Sequence, residues 1–228
     1  MSSFRRDDNG EIRAIFTSQE IQVILNLTEQ LLELLGDSEL HTAAPGEGLD
    51  PFMNLMGIST SEAPPEDPVL RRLLPNAYKD EREAAEFRRY TEHGLREKKR
   101  AHALLIHEAI ISRQEELEGI AEVSGIAPWK EDASIDRAAL ELSIRDDDAN
   151  AWLGGLNDLR LALAVRLGIG EKLNDGATAD SEEKTKRFEL MAESDPMQAV
   201  YAVYSWLGWL QQSLLEAMLS GGDEHQAS

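Results

Sequence analysis

NDLRLALAVRLG, residues 157–168, is the stretch on which the fold turns. On a helical wheel of the longer run DDDANAWLGGLNDLRLALAVRLGIG, Trp152, Leu156, Leu159, Leu163 and Leu167 share one face, whereas Leu161 and Val165 lie opposite. A helix apolar on two sides is sandwiched, so the segment predicts the centre of a layered helical domain. The acids Asp146, Asp147 and Asp148 suit its N-terminus through the macrodipole, and Gly168 suits its end. The same helix carries Asn157, Asp158, Arg160 and Arg166. Asp158 beside Leu161 and Val165, and Arg160 at the edge of the main face, are expected to be partly buried. Charges there need partners, because an isolated buried one costs several kcal/mol. The expected partners lie in an earlier segment, among Glu66, Asp67, Glu86, Arg88 and Glu92, in a polar network that fixes helix docking.

Outward from this helix, EIRAIF alternates, with Ile12, Ala14 and Phe16 on one side, and LELSI repeats the pattern through Leu140, Leu142 and Ile144. Two short strands are marginal alone, so they are expected to pair with each other against the helices. Thr17-Ser18-Gln19-Glu20 is a capping box opening a helix through Ile21, Ile24, Leu25, Leu31, Leu32 and Leu35 to Gly36. Asp67-Pro68 starts a short helix that Pro75 ends. A long helix follows over residues 80–117, with Ala84, Phe87, Thr91, Leu95, Leu105 and Ala109 on its predicted apolar stripe beside Lys98 and His102. Ser194-Asp195-Pro196 caps a last helix, MQAVYAVYSWLGWLQQSLLEAML. The fold class is mainly α, a helical bundle with a small two-stranded antiparallel β element. One domain over residues 11–220 is expected, between flexible tails at 1–10 and 221–228, with a long loop over 37–65. An apolar island in that loop (Phe52, Met53, Leu55, Met56, Ile58) reads either as an anchor on the core or as a short docking segment.

With 43 acidic against 23 basic residues the formal net charge is −20, which repels phosphates and anionic membranes at long range and favours basic partners. The absence of cysteine removes disulfides, thiolate catalysis and thiol redox sensing. MSSFRRDDNG lacks the apolar core of a secretory signal, and no run is long and apolar enough for a bilayer, so a cytoplasmic protein without membrane contact is expected.

No catalytic motif survives inspection. His41, His93, His102, His107 and His225 include no i, i+4 pair, so neither a metal site nor a cofactor is expected. Gly154-Gly155 lies within a helix and Gly168 to Gly170 follows one, so both read as close packing or capping rather than as a phosphate cradle. Basic residues concentrate at Arg88, Arg89, Arg96, Lys98, Lys99 and Arg100. As a nucleic-acid or partner contact, Arg89, Arg96, Lys99 and Arg100 are the candidates. The interleaved Glu86, Glu92 and Glu97 favour helical ion pairs instead. Trp206 and Trp209 point away from the stripe Val200, Tyr204, Leu207, Leu214 and Met218, as in a helix buried all round or one offering an aromatic contact to a partner or a second copy.

Three segments together, PPEDPVLRRLLPNAYKDEREAAEFRRYTE, DDDANAWLGGLNDLRLALAVRLGI and VYSWLGWLQQSLLEAM, resemble the AosR family, actinobacterial oxidative-stress transcriptional regulators catalogued as a domain of unknown function. The resemblance runs from Glu11 to Met218. It implies a non-enzymatic cytoplasmic regulator acting by protein contact with a sigma factor or other transcription protein. It also implies links to Clp proteolysis and to cysteine biosynthesis, which leave an adaptor role open beside direct DNA binding. Without cysteine, an oxidant response here has to come through methionine, a partner or altered expression.

Overall fold

The computed structural model describes residues 2–36, 63–124, 139–169, 186, 188 and 195–220. The loop island at residues 52–58, Trp129 and the C-terminal tail lie outside these residues. In chain order the elements are β1 (Phe4–Arg6), β2 (Ile12–Phe16), α1 (Ser18–Gly36), α2 (Pro68–Leu73), α3 (Glu81–Ser124), β3 (Leu140–Ile144), α4 (Asp146–Arg166) and α5 (Pro196–Ser220). The protein is mainly α, with a small antiparallel sheet.

The opening stretch forms α4, and α4 is the hub. It packs on α5, α3, α2 and α1. Trp152, Leu156, Leu159 and Leu163 are all buried in one continuous core. A helix in contact with four others has little solvent-facing side, which is why its sequence lacks a single apolar stripe.

Local signals set the other elements where expected. The capping box is closed: the Glu20 carboxylate accepts from the Thr17 amide at 2.9 Å, and Thr17 Oγ1 accepts from the Glu20 amide at 3.2 Å. Asp67 Oδ1 accepts from the amides of Val69 and Leu70 at the start of α2, and Asp195 Oδ1 accepts from Met197 at the start of α5. Helix α3 extends to Ser124, beyond the expected stop near residue 117. Gly119 alone, costing about 1 kcal/mol, does not end a run otherwise made of Glu, Ala, Ile and Val.

The sheet corrects the two-stranded expectation. β2 pairs β3 as foreseen, Ala14 facing Leu142 and Phe16 facing Leu140. A third strand, β1, comes from residues expected in a tail, Phe4 pairing with Ala14 on the other side of β2. Phe4 is 3% exposed and meets Phe16 and Trp152 edge to face, at 5.8 and 5.9 Å between ring centroids. One buried aromatic anchors the short strand, and α5 binds it: the Phe4 amide donates to Ser213 Oγ at 3.0 Å, and Arg6 Nε donates to the Ala217 carbonyl at 3.0 Å. Arg6 also pairs with Asp146 at 2.9 Å, tying β1 to the first turn of α4.

Glycines let α4 approach α3. A Cβ at Gly155 would sit 2.4 Å from Ile106 Cδ1, and one at Gly154 would sit 2.5 Å from His102 Nδ1. The pair therefore serves close packing. Alanine normally stabilises a helix interior over glycine by about 1 kcal/mol. Here Gly155→Ala is expected to lower stability by about 1–3 kcal/mol through overpacking. In an Ile106→Val background, which lacks Cδ1, the loss should fall below about 1 kcal/mol. Chemical denaturation of the four variants checks this, and equal losses in both backgrounds would exclude the Ile106 contact as the cause.

Candidate functional site

Three charged residues of α4, Asp158, Arg160 and Arg166, each reach a different helix. Asp158, with its side chain 3% exposed, accepts from Lys99 Nζ of α3 at 2.6 Å. Arg160 turns to α5, donating from Nη1 to Gln211 Oε1 at 2.6 Å. Its guanidinium lies 5.0 Å from the Tyr204 ring centroid, within cation–π range. Gly208 of α5 makes room for it: a Cβ there would lie 3.3 Å from the guanidinium. Arg166 is exposed and donates to Gln30 Oε1 of α1 at 3.1 Å. Asn157 is half-buried on the same helix.

The partners differ from those expected in the earlier segment. Asp67 is engaged in capping α2. Arg88 meets Asn76 Oδ1 and pairs with Glu92 at 3.8 Å. Glu92 also takes Arg96, at 2.9 Å. Segment α2 instead meets α4 through apolar residues, with Val69 beside Leu159 and Leu163. The reason lies in register: Lys99, further along α3, is what faces Asp158, and the side chains opposite Arg160 belong to α5.

Half of the basic run on α3, Arg88, Arg96 and Lys99, is used inside the protein, whereas Lys98 and Arg100 are exposed. Arg88 and Arg96 are each 7% exposed. Arg96 Nη1 donates to the Leu35 carbonyl at 3.3 Å, at the C-terminus of α1. No basic residue of α1 occupies its own last turn, so a cation from α3 complements that end of the dipole. Lys99 is bound to Asp158. Of the four residues nominated for nucleic acid or a partner, only Arg100 is exposed, and Arg89 is half-buried.

The expected apolar stripe of α3 also shifts. Over its first half the buried positions are Ala84, Arg88 and Arg96, while Phe87 and Leu95 are each 39% exposed. The wheel chose apolar residues, whereas the end of α1 and the carboxylate of α4 select cations. Further along, Ala103, Ile106 and Ile110 are fully buried. Trp206 is buried and Trp209 is 49% exposed, so only Trp209 presents its ring to solvent.

His102 sits in the notch of Gly154, with Nδ1 buried and without a hydrogen-bond partner among the described residues. Burial holds its pKa below 6.5, aided by Lys98 and Lys99 and opposed by Asp158. His107 instead meets Thr28 Oγ1 at 3.2 Å, so the two α3 histidines serve different interfaces. Among the described residues no group of three or more His, Asp or Glu side chains could hold a metal ion. No described helix is long and apolar enough to cross a membrane.

These features define a helical domain whose central helix is held by separate polar contacts to its neighbours. The chain belongs to the family described as domain of unknown function DUF2017, whose model matches residues 1–218. It is similar to proteins named "Oxidative stress regulator AosR" from Mycobacterium bovis and Mycobacterium tuberculosis. It is 27% identical to each over 219 residues, covering 93% of this chain and 84% of theirs. No solved structure matches it.

Two outcomes follow from this geometry. Lys99→Met leaves the Asp158 carboxylate buried and unpaired and is expected to cost about 3 kcal/mol, much of which Lys99→Met with Asp158→Leu should restore. A double variant no more stable than the single one would contradict this account. For His102 the folded form disfavours the proton, so the unfolded chain binds more protons below pH 6.5. Its contribution is intact above that pH and is lost as pH falls below it. Urea melts across this window should show a slope that His102→Gln diminishes, and an unchanged slope would remove His102 as its source.

Proposed function

We propose that this protein is a non-enzymatic regulator of stress-responsive transcription that acts through protein contact, with a sigma factor or RNA polymerase as the partner. The observation that carries the reading is similarity along 93% of the chain to relatives named oxidative stress regulators. The fate of the α3 cations supports contact with protein rather than DNA. Phosphate recognition needs exposed Lys or Arg, yet Arg88 and Arg96 are buried and Lys99 is bound to Asp158, which leaves Lys98 and Arg100 as the exposed cations of the run. A net charge of −20 adds long-range repulsion from a polyanion and attraction for basic surfaces.

An oxidant signal would reach this chain without a thiol, since it holds no cysteine. The regulator then acts downstream of a sensor, or through methionine oxidation. In this reading the protein works in the cytoplasm.

A strain lacking the gene should lose part of its transcriptional response to peroxide and regain it with the wild-type copy. The tagged chain should co-purify with a sigma factor or polymerase subunit. Failure of both in the same strain would remove the reading. Binding of the purified chain to the responsive promoter, abolished by Arg100→Glu, would replace it with direct DNA recognition.

A further inference from the structure

Helix α5 lacks what the rest of the surface has. Charged residues make up 29% of the chain, yet α5 carries one, Glu216, among its 25 residues. Its outward stripe runs through Ala202, Ser205, Trp209, Gln212, Glu216 and Leu219, at helical spacing and all exposed. Trp209 and Leu219 present 49% and 67% of their surface to solvent, far more than lone packing residues of a core helix. The opposite side of α5 packs on α4 and the sheet. The single charge is itself held within the helix, since Glu216 Oε1 accepts from Gln212 Nε2 at 2.9 Å.

This absence of charge decides what can sit there. A cationic partner attracted by the net charge of −20 is drawn to the acids on other faces, where Glu29 and Glu33 of α1 and Asp146 and Asp147 of α4 are exposed. Two copies of this chain repel one another through those same faces and can approach on a neutral one. Size then sets their direction. The stripe is small in its N-terminal half, with Ala202 and Ser205, and large in its C-terminal half, with Trp209, Gln212 and Leu219. A parallel copy would set large against large and leave a gap between the small halves, whereas an antiparallel copy sets each half on its complement.

We propose that α5 forms the two-fold interface of a homodimer, packed antiparallel on the α5 of a second copy. A two-fold axis near Leu207, close to the middle of the helix, overlaps almost its whole length. Trp209 of each copy then lies over Ser205 of the other, and Gln212 over Ala202. A tryptophan beside the axis supplies the anchor. At 1.5 Å per residue the two Glu216 side chains come to lie about 27 Å apart, well beyond a screening length of about 8 Å at physiological salt. Each falls opposite Gln198 of the other copy, an amide rather than a second acid. The pairing goes beyond the reading of the protein as a contact regulator and does not depend on it, since the surfaces away from α5 stay open to other partners.

Sedimentation velocity of the purified full chain at micromolar concentration should give twice the chain mass of 25.4 kDa. Ala202→Glu, at an exposed position, should leave a monomer with unchanged helix content, and Trp209→Ser should raise the dimer dissociation constant about tenfold or more. If Ala202→Glu loses helix content, Ser205→Arg, also at an exposed position, should give the monomer instead. Direction is read by disulfide trapping, which is clean because the chain holds no cysteine of its own. An oxidised mixture of Ala202→Cys and Gln212→Cys chains should form the mixed disulfide. Either chain alone should form little, since like positions stand about 15 Å apart along the helix, too far for a disulfide. A monomeric wild type, a dimer indifferent to these substitutions, or disulfides from either chain alone that exceed those of the mixture would overturn the proposal.

Discussion

A carboxylate placed at the most crowded point of the fold constrains everything around it. Asp158 is buried in the middle of a helix that other helices cover on several sides, and Lys99 meets it at 2.6 Å. A buried ion pair gives little net stability over an apolar pair, but it is intolerant of a missing or misplaced partner. It therefore fixes the register of α3 on α4. One or two turns on, His102 and Ile106 come to rest over Gly154 and Gly155. Arg160 fixes α5 in the same manner, lying over Gly208 and reaching Gln211 and Tyr204. Through α5 the constraint passes to β1, whose amide and arginine bond to Ser213 and Ala217. Strand β1 and helices α3 and α5 are thus set by contacts that begin on α4.

The same requirement explains the inversion of α3. Its inner face meets a carboxylate of α4 and the carbonyl end of α1, and both select cations. Arginine and lysine are accordingly drawn inward, and the aromatic residues between them face outward. Surface sign and composition are consequences of packing here. A segment read as a basic footprint uses Arg88, Arg96 and Lys99 within the protein and leaves Lys98 and Arg100 outside.

Much of this was legible in the sequence because the signals were local. The capping box, Asp67-Pro68, Asp195-Pro196, the alternation of β2 and β3 and the two-sided apolar pattern of α4 each carry their cause within a few residues. Burial of Asp158 followed from its neighbours Leu161 and Val165. The identity of its partner did not, because that depends on the relative register of two helices, which no local pattern encodes. The stripe of α3 failed for the same reason. Strand β1 was hidden by its single buried apolar residue, Phe4, in a polar setting. A signal was present nonetheless: Asn9-Gly10 is a strong hairpin dipeptide, and Gly10 adopts φ of 83° at the β1–β2 turn. Trp206 and Trp209, three residues apart, project 60° from one another, enough for one to be buried and the other exposed.

Family membership and likeness to named stress regulators concern the whole chain, whereas the polar contacts on α4 account for its shape. The central claim is that α4 is the element on which all others depend. Native-state hydrogen exchange of the intact protein across a denaturant series tests it most directly. The amides of residues 156–163 should exchange only with the free energy and denaturant dependence of global unfolding. If they open at lower free energy while α3 or α1 remains protected, α4 is not the hub of the fold.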